Sequence, residues 1–336
     1  MRLRYALLLF LFALNLPMSA QAVQRAFVSA LSGNDANTAT GCPATAPCRW
    51  FAAALTVVNP NGEIVAMDSG AYGAFTPTTS ISIVAAPGVY AGITVFSGNG
   101  VTIATAGIDV ALRGLSINSM GPSTRGVYMT NGAKLTITDC EFSNFSGVGF
   151  AAVYVNTAAA VRVVGSLFRD SYYGVLLSSG ATASISESKF FGSGYFGLLV
   201  TDAFGGSLIT TTAYVDHSVA NGNLNAFAAH NVATGNASLL FVADSVITKS
   251  TYDAVRAYAP AGVARVAVSN SRIFQNDAGL YASDAGAKLV ATGNTVTRNA
   301  IGLVQLSSAL LESAGDNVVR DNGSNFLGSI TTFTKM

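Results

Sequence analysis

Apolar and polar residues alternate along most of this chain in short runs, and the runs recur. Leu135-Thr136-Ile137-Thr138-Asp139-Cys140-Glu141-Phe142 shows the unit: two short alternating strands that meet at a corner of one or two residues. The same shape returns at residues 161–168 and 183–190, then at 240–247, 266–273 and 289–296. Its closing apolar residue falls at Ile117, Phe142, Phe168, Phe190, Val215, Ile247, Ile273, Val296 and Val319, a step of about 25 residues. After each copy come a polar corner, a small residue and a third strand, as in Gly126-Val127-Tyr128-Met129, Ala152-Val153-Tyr154-Val155, Gly174-Val175-Leu176-Leu177 and Gly279-Leu280-Tyr281.

Three short strands per repeat cannot bury their apolar faces alone. Stacked coil on coil they can, each strand bonding its equivalents above and below at about 4.8 Å. The pattern therefore predicts an all-β, right-handed parallel β-helix of about a dozen coils. An antiparallel sandwich would show hairpin dipeptides without a fixed period. A helical repeat would show apolar spacings of three and four, which these segments lack.

The segment before the clearest repeats predicts a cap. Arg49-Trp50-Phe51-Ala52-Ala53-Ala54-Leu55 reads as a short amphipathic helix stopped by Asn59-Pro60-Asn61-Gly62, and residues 63–67 and 80–84 read as strands. An end helix shields the raw strand edges of a solenoid. The expected division is a leader over 1–22, an N-terminal cap with a short helix over 23–62, the parallel β-helix over 63–322, and a C-terminal cap or tail over 323–336.

Composition adds the compartment. Arg2 and Arg4 precede an apolar run over residues 5–14 that breaks at Pro17, and Ala20-Gln21-Ala22 follows, the pattern of a secretory signal peptide. That run is roughly half the ~20 residues a membrane span needs, so the mature chain is expected to carry no transmembrane segment and to be secreted or periplasmic. Removing Arg2 and Arg4 turns the formal net charge from +1 to −1. Charged residues make up only 10%; that excludes a disordered chain, and the near-neutral balance argues against nucleic acid as a partner. Cys42 and Cys48 bracket a Pro-containing loop and read as a local disulfide in an oxidising compartment. Cys140 reads as a buried, inert thiol. With His217 and His230 as its only histidines, the chain offers no metal site.

Phe27-Val28-Ser29, Gly33-Asn34-Asp35-Ala36-Asn37, Cys48-Arg49-Trp50-Phe51-Ala52-Ala53-Ala54, Gly62-Glu63-Ile64, Gly70-Ala71-Tyr72 and Ile81-Ser82-Ile83 follow in order. This opening resembles that of secreted right-handed β-helix proteins of the pectin-lyase-like superfamily, and with the coils the resemblance runs over roughly residues 26–320. It implies a substrate groove along the outer face of one strand stack. It also implies calcium held by carboxylates, should the chain be a lyase. By turn lengths the matching stack is the third strand, whose outward positions read Tyr128, Tyr154, Leu176, Leu199, Ala228, Arg256, Tyr281 and Val304. Neither the carboxylates and base of a lyase nor the two carboxylates of a hydrolase stand in the middle of that column. No residue is assigned a catalytic role.

The candidate binding residues are Asp202, His230, Arg256, Tyr258, Tyr281 and Asp284, on or just past the third strand, with Tyr128 and Tyr154 on the apolar part of the column. A basic group, aromatic platforms and a carboxylate suit a sugar chain; the same residues also fit a solvated face with one ion pair. A second cluster, Asp139, Glu141, Arg162, Arg169, Asp170, Glu187 and Lys189, reads as surface ion pairing. Tyr214-Val215-Asp216-His217-Ser218 resembles the aromatic-x-Asp-His strand of pectate lyases without the accompanying Pro and Arg, and reads as a polar corner equivalent to Ser143-Asn144 or Arg169-Asp170. The expected function is binding of a polysaccharide, cell-surface glycan or other surface partner, without a complete catalytic set or cofactor. The alternatives are a polysaccharide lyase or glycoside hydrolase of the pectin-lyase type, and a structural envelope component forming homo-oligomers through the apolar outer stripe.

Overall fold

The computed structural model describes residues 22–202 and 208–334; the expected leader lies, but for Ala22, outside them. Three parallel sheets wind around one apolar interior, with 13, 11 and 10 strands. Each coil contributes one strand to each sheet in turn, so ten complete coils stack. No helix of the described residues is long and apolar enough to cross a membrane.

The aromatic column is in the interior. Phe142, Phe168 and Phe190 occupy equivalent positions on successive strands of the second sheet. Their rings stack at 5.2 Å and 5.0 Å between centroids. The next member is Ala220, not Val215: Val215 lies in the first sheet, between Ile185 and Val242. The coil between them carries extra residues after Thr201, and a constant step therefore lands one strand early. Phe227, reaching in from the third sheet, meets Phe190 edge-on at 5.3 Å and fills the room the small Ala220 leaves.

In most coils two corners are made by residues with left-handed backbone. At the first corner these are Asp139, Gly165, Glu187, His217, Asp244, Asn270 and Gly293. The residue that follows is the rung of a ladder. Ser166 Oγ accepts from the Cys140 amide, Ser188 Oγ from the Ser166 amide, and the series runs through Ser218, Ser245 and Ser271 to Asn294 and Asn317. A parallel ladder at the second corner joins Ser250, Asn276, Asn299 and Asn322. The chain leaves its sheets at these corners, and the ladders satisfy amides that would otherwise be buried without partners. Cys140 is a rung of the first ladder; its Sγ is 3.3 Å from Thr138 O, the contact each serine rung makes two residues back. Burial pushes its thiol up to about 12.

At the N-terminal end the helix is shorter than its sequence pattern, Phe51–Ala54. Phe51 packs on Tyr72 and Phe75. Asn59-Pro60-Asn61-Gly62 does not stop a helix; it lies inside the strand Val58–Ala66. Pairing with the first strand, Val23–Val28, jumps there from Val58 to Glu63, and the bulge accommodates Pro60, which has no amide to donate. The first sheet thus already begins at Val23, and strands Ser324–Leu327 and Ile330–Phe333 carry the coils beyond residue 322. The Cys42–Cys48 disulfide is formed, and both cysteine backbones bond Phe27, pinning the loop to the first strand.

Candidate functional site

The third sheet carries the outward column in the expected register. Tyr128, Tyr154, Leu176, Leu199, Ala228, Arg256, Tyr281 and Val304 are successive partners. Strict alternation fails just before it, at the small residue of each strand. A Cβ at Gly174 would collide with the carbonyl oxygen of Gly197 on the next coil. The chain bends there, and the residue three positions before the column also faces outward. That second column runs Arg125, Ala151, Tyr173, Phe196, continuing through Asn225 to Asp253, whose amide donates to Asn225 Oδ1. A period-two reading misses it.

The second column changes the middle of the face. Tyr154, Leu176, Leu199 and Ala228 are buried, packed with Ala151 and Phe196 and flanked by Tyr128, Tyr173 and Tyr195. The expected open apolar stripe is therefore closed over by aromatic side chains of its own chain. Tyr172, Tyr173, Tyr195 and Phe196 form a continuous set of ring contacts. Burial pushes the Tyr173 hydroxyl up to about 12.

Polar groups stand at both ends of this aromatic patch. At one end Arg125 lies over Tyr128 and Tyr154, at 4.3 Å and 5.1 Å from their ring centres, while those two rings stack at 5.4 Å. At the other, Arg256 lies 4.9 Å from the rings of both Tyr258 and Tyr281. His230 meets Tyr258 edge-on at 4.4 Å. The carboxylate that pairs with Arg256 is Asp253, at 3.3 Å, and its side chain is only 9% exposed. Burial pushes the Asp253 carboxyl up to about 6, with Arg256 opposing and Asp277 reinforcing. The His230 imidazole is held down to about 4, by burial first and by Arg256 second. Arg125 Nε, Arg256 Nε and His230 Nε2 are buried without hydrogen-bond partners.

The remaining candidates stand elsewhere. Asp202 is fully buried and takes the Ser179 amide and both the amide and hydroxyl of Thr211, so its carboxylate is occupied in fastening the turn. Asp284 follows its strand in left-handed backbone and accepts the Ser283 hydroxyl. Of the second cluster, Arg169 joins Glu141 and Asp170 in an exposed ion-pair set. Asp216-His217 aligns with Ser186-Glu187 at the first corner, not with Arg169-Asp170 at the second. Arg125, Asp253 and the Tyr172–Tyr195 aromatic set were not among the sequence candidates; Arg125, Tyr173, Phe196 and Asp253 share the offset of three before an outward residue, and Tyr172 and Tyr195 directly precede two of them.

A family model described as "Right handed beta helix region" matches residues 151–323, slightly more than half of the chain. This chain belongs to that family. Among solved structures, "Crystal structure of pectate lyase Pel9A" superimposes with a TM-score of 0.58 at 16% identity, over 90% of this chain and 80% of that one. At that identity the likeness is one of fold. No curated protein matches the sequence. Calcium chemistry of the kind a lyase relationship implies needs converging oxygen donors. Among the described residues no three His, Cys, Asp or Glu side chains converge.

Proposed function

We propose that this protein is exported and binds a polysaccharide along the outer face of its third sheet, holding it without cleaving it. The observation that carries the reading is Arg256: a partly desolvated guanidinium between Tyr258 and Tyr281, with its own Nε and the neighbouring His230 Nε2 unpartnered. Buried polar atoms without partners cost free energy in the unliganded protein. A sugar hydroxyl or carboxylate would satisfy them while its ring rests on the tyrosines. A fold shared with a pectate lyase supports a carbohydrate-related role. The leader-like sequence and the Cys42–Cys48 bond support export.

The test is a glycan array with the mature protein, paired with assays for new reducing ends and unsaturated products. Retention of a polysaccharide without product release is expected. Arg256→Ala is expected to weaken it by about tenfold or more, a cation–aromatic and hydrogen-bond loss of ordinary size. An array without a binder, or binding indifferent to Arg256→Ala, overturns the reading. Calcium-dependent release of unsaturated products would make the protein a lyase instead.

A further inference from the structure

Arg125 finds no polar partner among the described residues. On the strand Ser123–Met129 its guanidinium lies 4.3 Å and 5.1 Å from the ring centres of Tyr128 and Tyr154, and no hydrogen bond or ion pair within those residues reaches it. The polar side chains beside it are used on one another. Thr124 Oγ1 donates to Asn99 Oδ1 at 2.9 Å, and Asn99 Nδ2 donates to Thr102 Oγ1 at 3.2 Å, although Asn99 is the register partner of Arg125 itself. The rings that hold the cation also keep water from it, for its Nε is buried. An unpaired, partly desolvated guanidinium is a site for an oxyanion, whose charge-assisted hydrogen bonds are stronger than those of a neutral hydroxyl.

The other end of the face is balanced. Arg256 stands five coils further along the same sheet, roughly 24 Å away by strand spacing, and already faces Asp253 at 3.3 Å. That carboxylate opposes a second anion there. Between the two ends the face carries no cation. The third strands and adjoining turns of the four intervening coils, residues 144–159, 171–182, 193–209 and 223–236, contain neither Lys nor Arg, and Tyr173, Tyr195 and Phe196 flank or cover their middle. A chain with a carboxylate on every unit would set several charges against the negative faces of these rings with nothing to pair them. Neutral pyranose units present C–H faces that suit the same surface.

We propose that Arg125 takes the one anionic group, a uronate carboxylate or a sulfate ester, of a chain that is neutral over the units that follow. The ligand class is therefore a heteropolysaccharide with widely spaced acidic units, and neither a neutral glycan nor a homopolymer of acidic sugars. The proposal rests on the third-sheet reading above and adds to it the charge pattern of the chain.

The test is calorimetry on the full mature chain with three classes of oligosaccharide. Cello- and xylo-oligosaccharides are neutral. Oligogalacturonate and oligomannuronate are charged on every unit. Fragments of gellan, glucuronoxylan and lightly sulfated agar carry one acid among several neutral units, and separate the carboxylate from the sulfate. At least one of the third class should bind, about tenfold or more tighter than any of the first two. Carboxyl reduction or desulfation of that ligand should cost a similar factor on wild type, a measurement that does not depend on the folding of any variant. Arg125→Ala should lose about tenfold for the acidic form, with most of the salt dependence, and should bind the neutralised form as wild type does. Tightest binding by a neutral or a fully charged chain would overturn the proposal while leaving the polysaccharide reading in place. So would an Arg125→Ala affinity equal to wild type where Arg256→Ala still weakens binding. Silence in all three classes would also overturn it, and the glycan array then decides separately on the polysaccharide reading.

Discussion

The guanidinium of Arg256 sits 4.9 Å from the ring centre of Tyr281, one full coil later in the chain. Their contact exists because stacked coils turn a sequence separation of about 25 residues into one strand spacing of about 4.8 Å. The interior Phe column, the corner ladders and the proposed binding face all depend on that conversion.

The interior column should show it in stability. Phe168 is fully buried between two rings. Phe168→Ala should lower unfolding free energy by about 3–5 kcal/mol, through lost transfer and the cavity left behind. Urea denaturation followed by far-UV circular dichroism measures this. A loss under ~1 kcal/mol would mean the column is not packed as described.

Cys140 should behave as a sulfur-bearing serine. Its neighbours down the ladder are serines, its Sγ makes the same backbone contact, and its thiol is pushed up to about 12 by burial. Native protein should not react with a thiol-specific reagent, whereas unfolded protein should release one equivalent of free thiol. Cys140→Ser should change stability by less than ~1 kcal/mol. Rapid labelling of the folded protein would contradict the placement.

His230 and Asp253 should pull stability in opposite directions with pH. Held down to about 4 from its ordinary 6.5, His230 is unprotonated in the folded chain while the unfolded chain still binds a proton, so its contribution rises with pH across that window. Asp253, pushed up to about 6 from 3.8, keeps its proton in the folded chain after the unfolded chain has lost it, so its contribution falls as pH rises. Relative to wild type, His230→Gln should lose stability between pH ~4 and ~6.5, and Asp253→Asn should gain it between ~4 and ~6. Urea midpoints at three pH values read both differences. Flat difference profiles would contradict the burial of this pair.

The fold was legible because apolar alternation and polar corners repeat with a nearly constant step. Legibility failed where the step changed. Ala220 holds the column position assigned to Val215, and the same slip moved Asp216-His217 to the wrong corner. The Arg256, Tyr258, Tyr281 and His230 grouping was legible from the alternation of the third strands. Asp253 and Arg125 were not, because alternation breaks at the small residue where one coil's backbone crowds the next. Nor could period-two reasoning foresee that Tyr173 and Phe196 would close over Leu176 and Leu199. Asp202 drew notice as a carboxylate at the edge of the site, but sequence does not reveal that its lone pairs are already taken by Thr211 and Ser179.

The most direct test of the binding face is a double-mutant cycle on the polysaccharide identified by the array, titrating wild type, Arg256→Ala, Tyr281→Ala and the double variant by calorimetry. If the two side chains act as one platform, the double variant should bind about as weakly as either single variant, a coupling of at least ~0.5 kcal/mol. Strictly additive losses, or affinity unchanged by either substitution, would contradict the account.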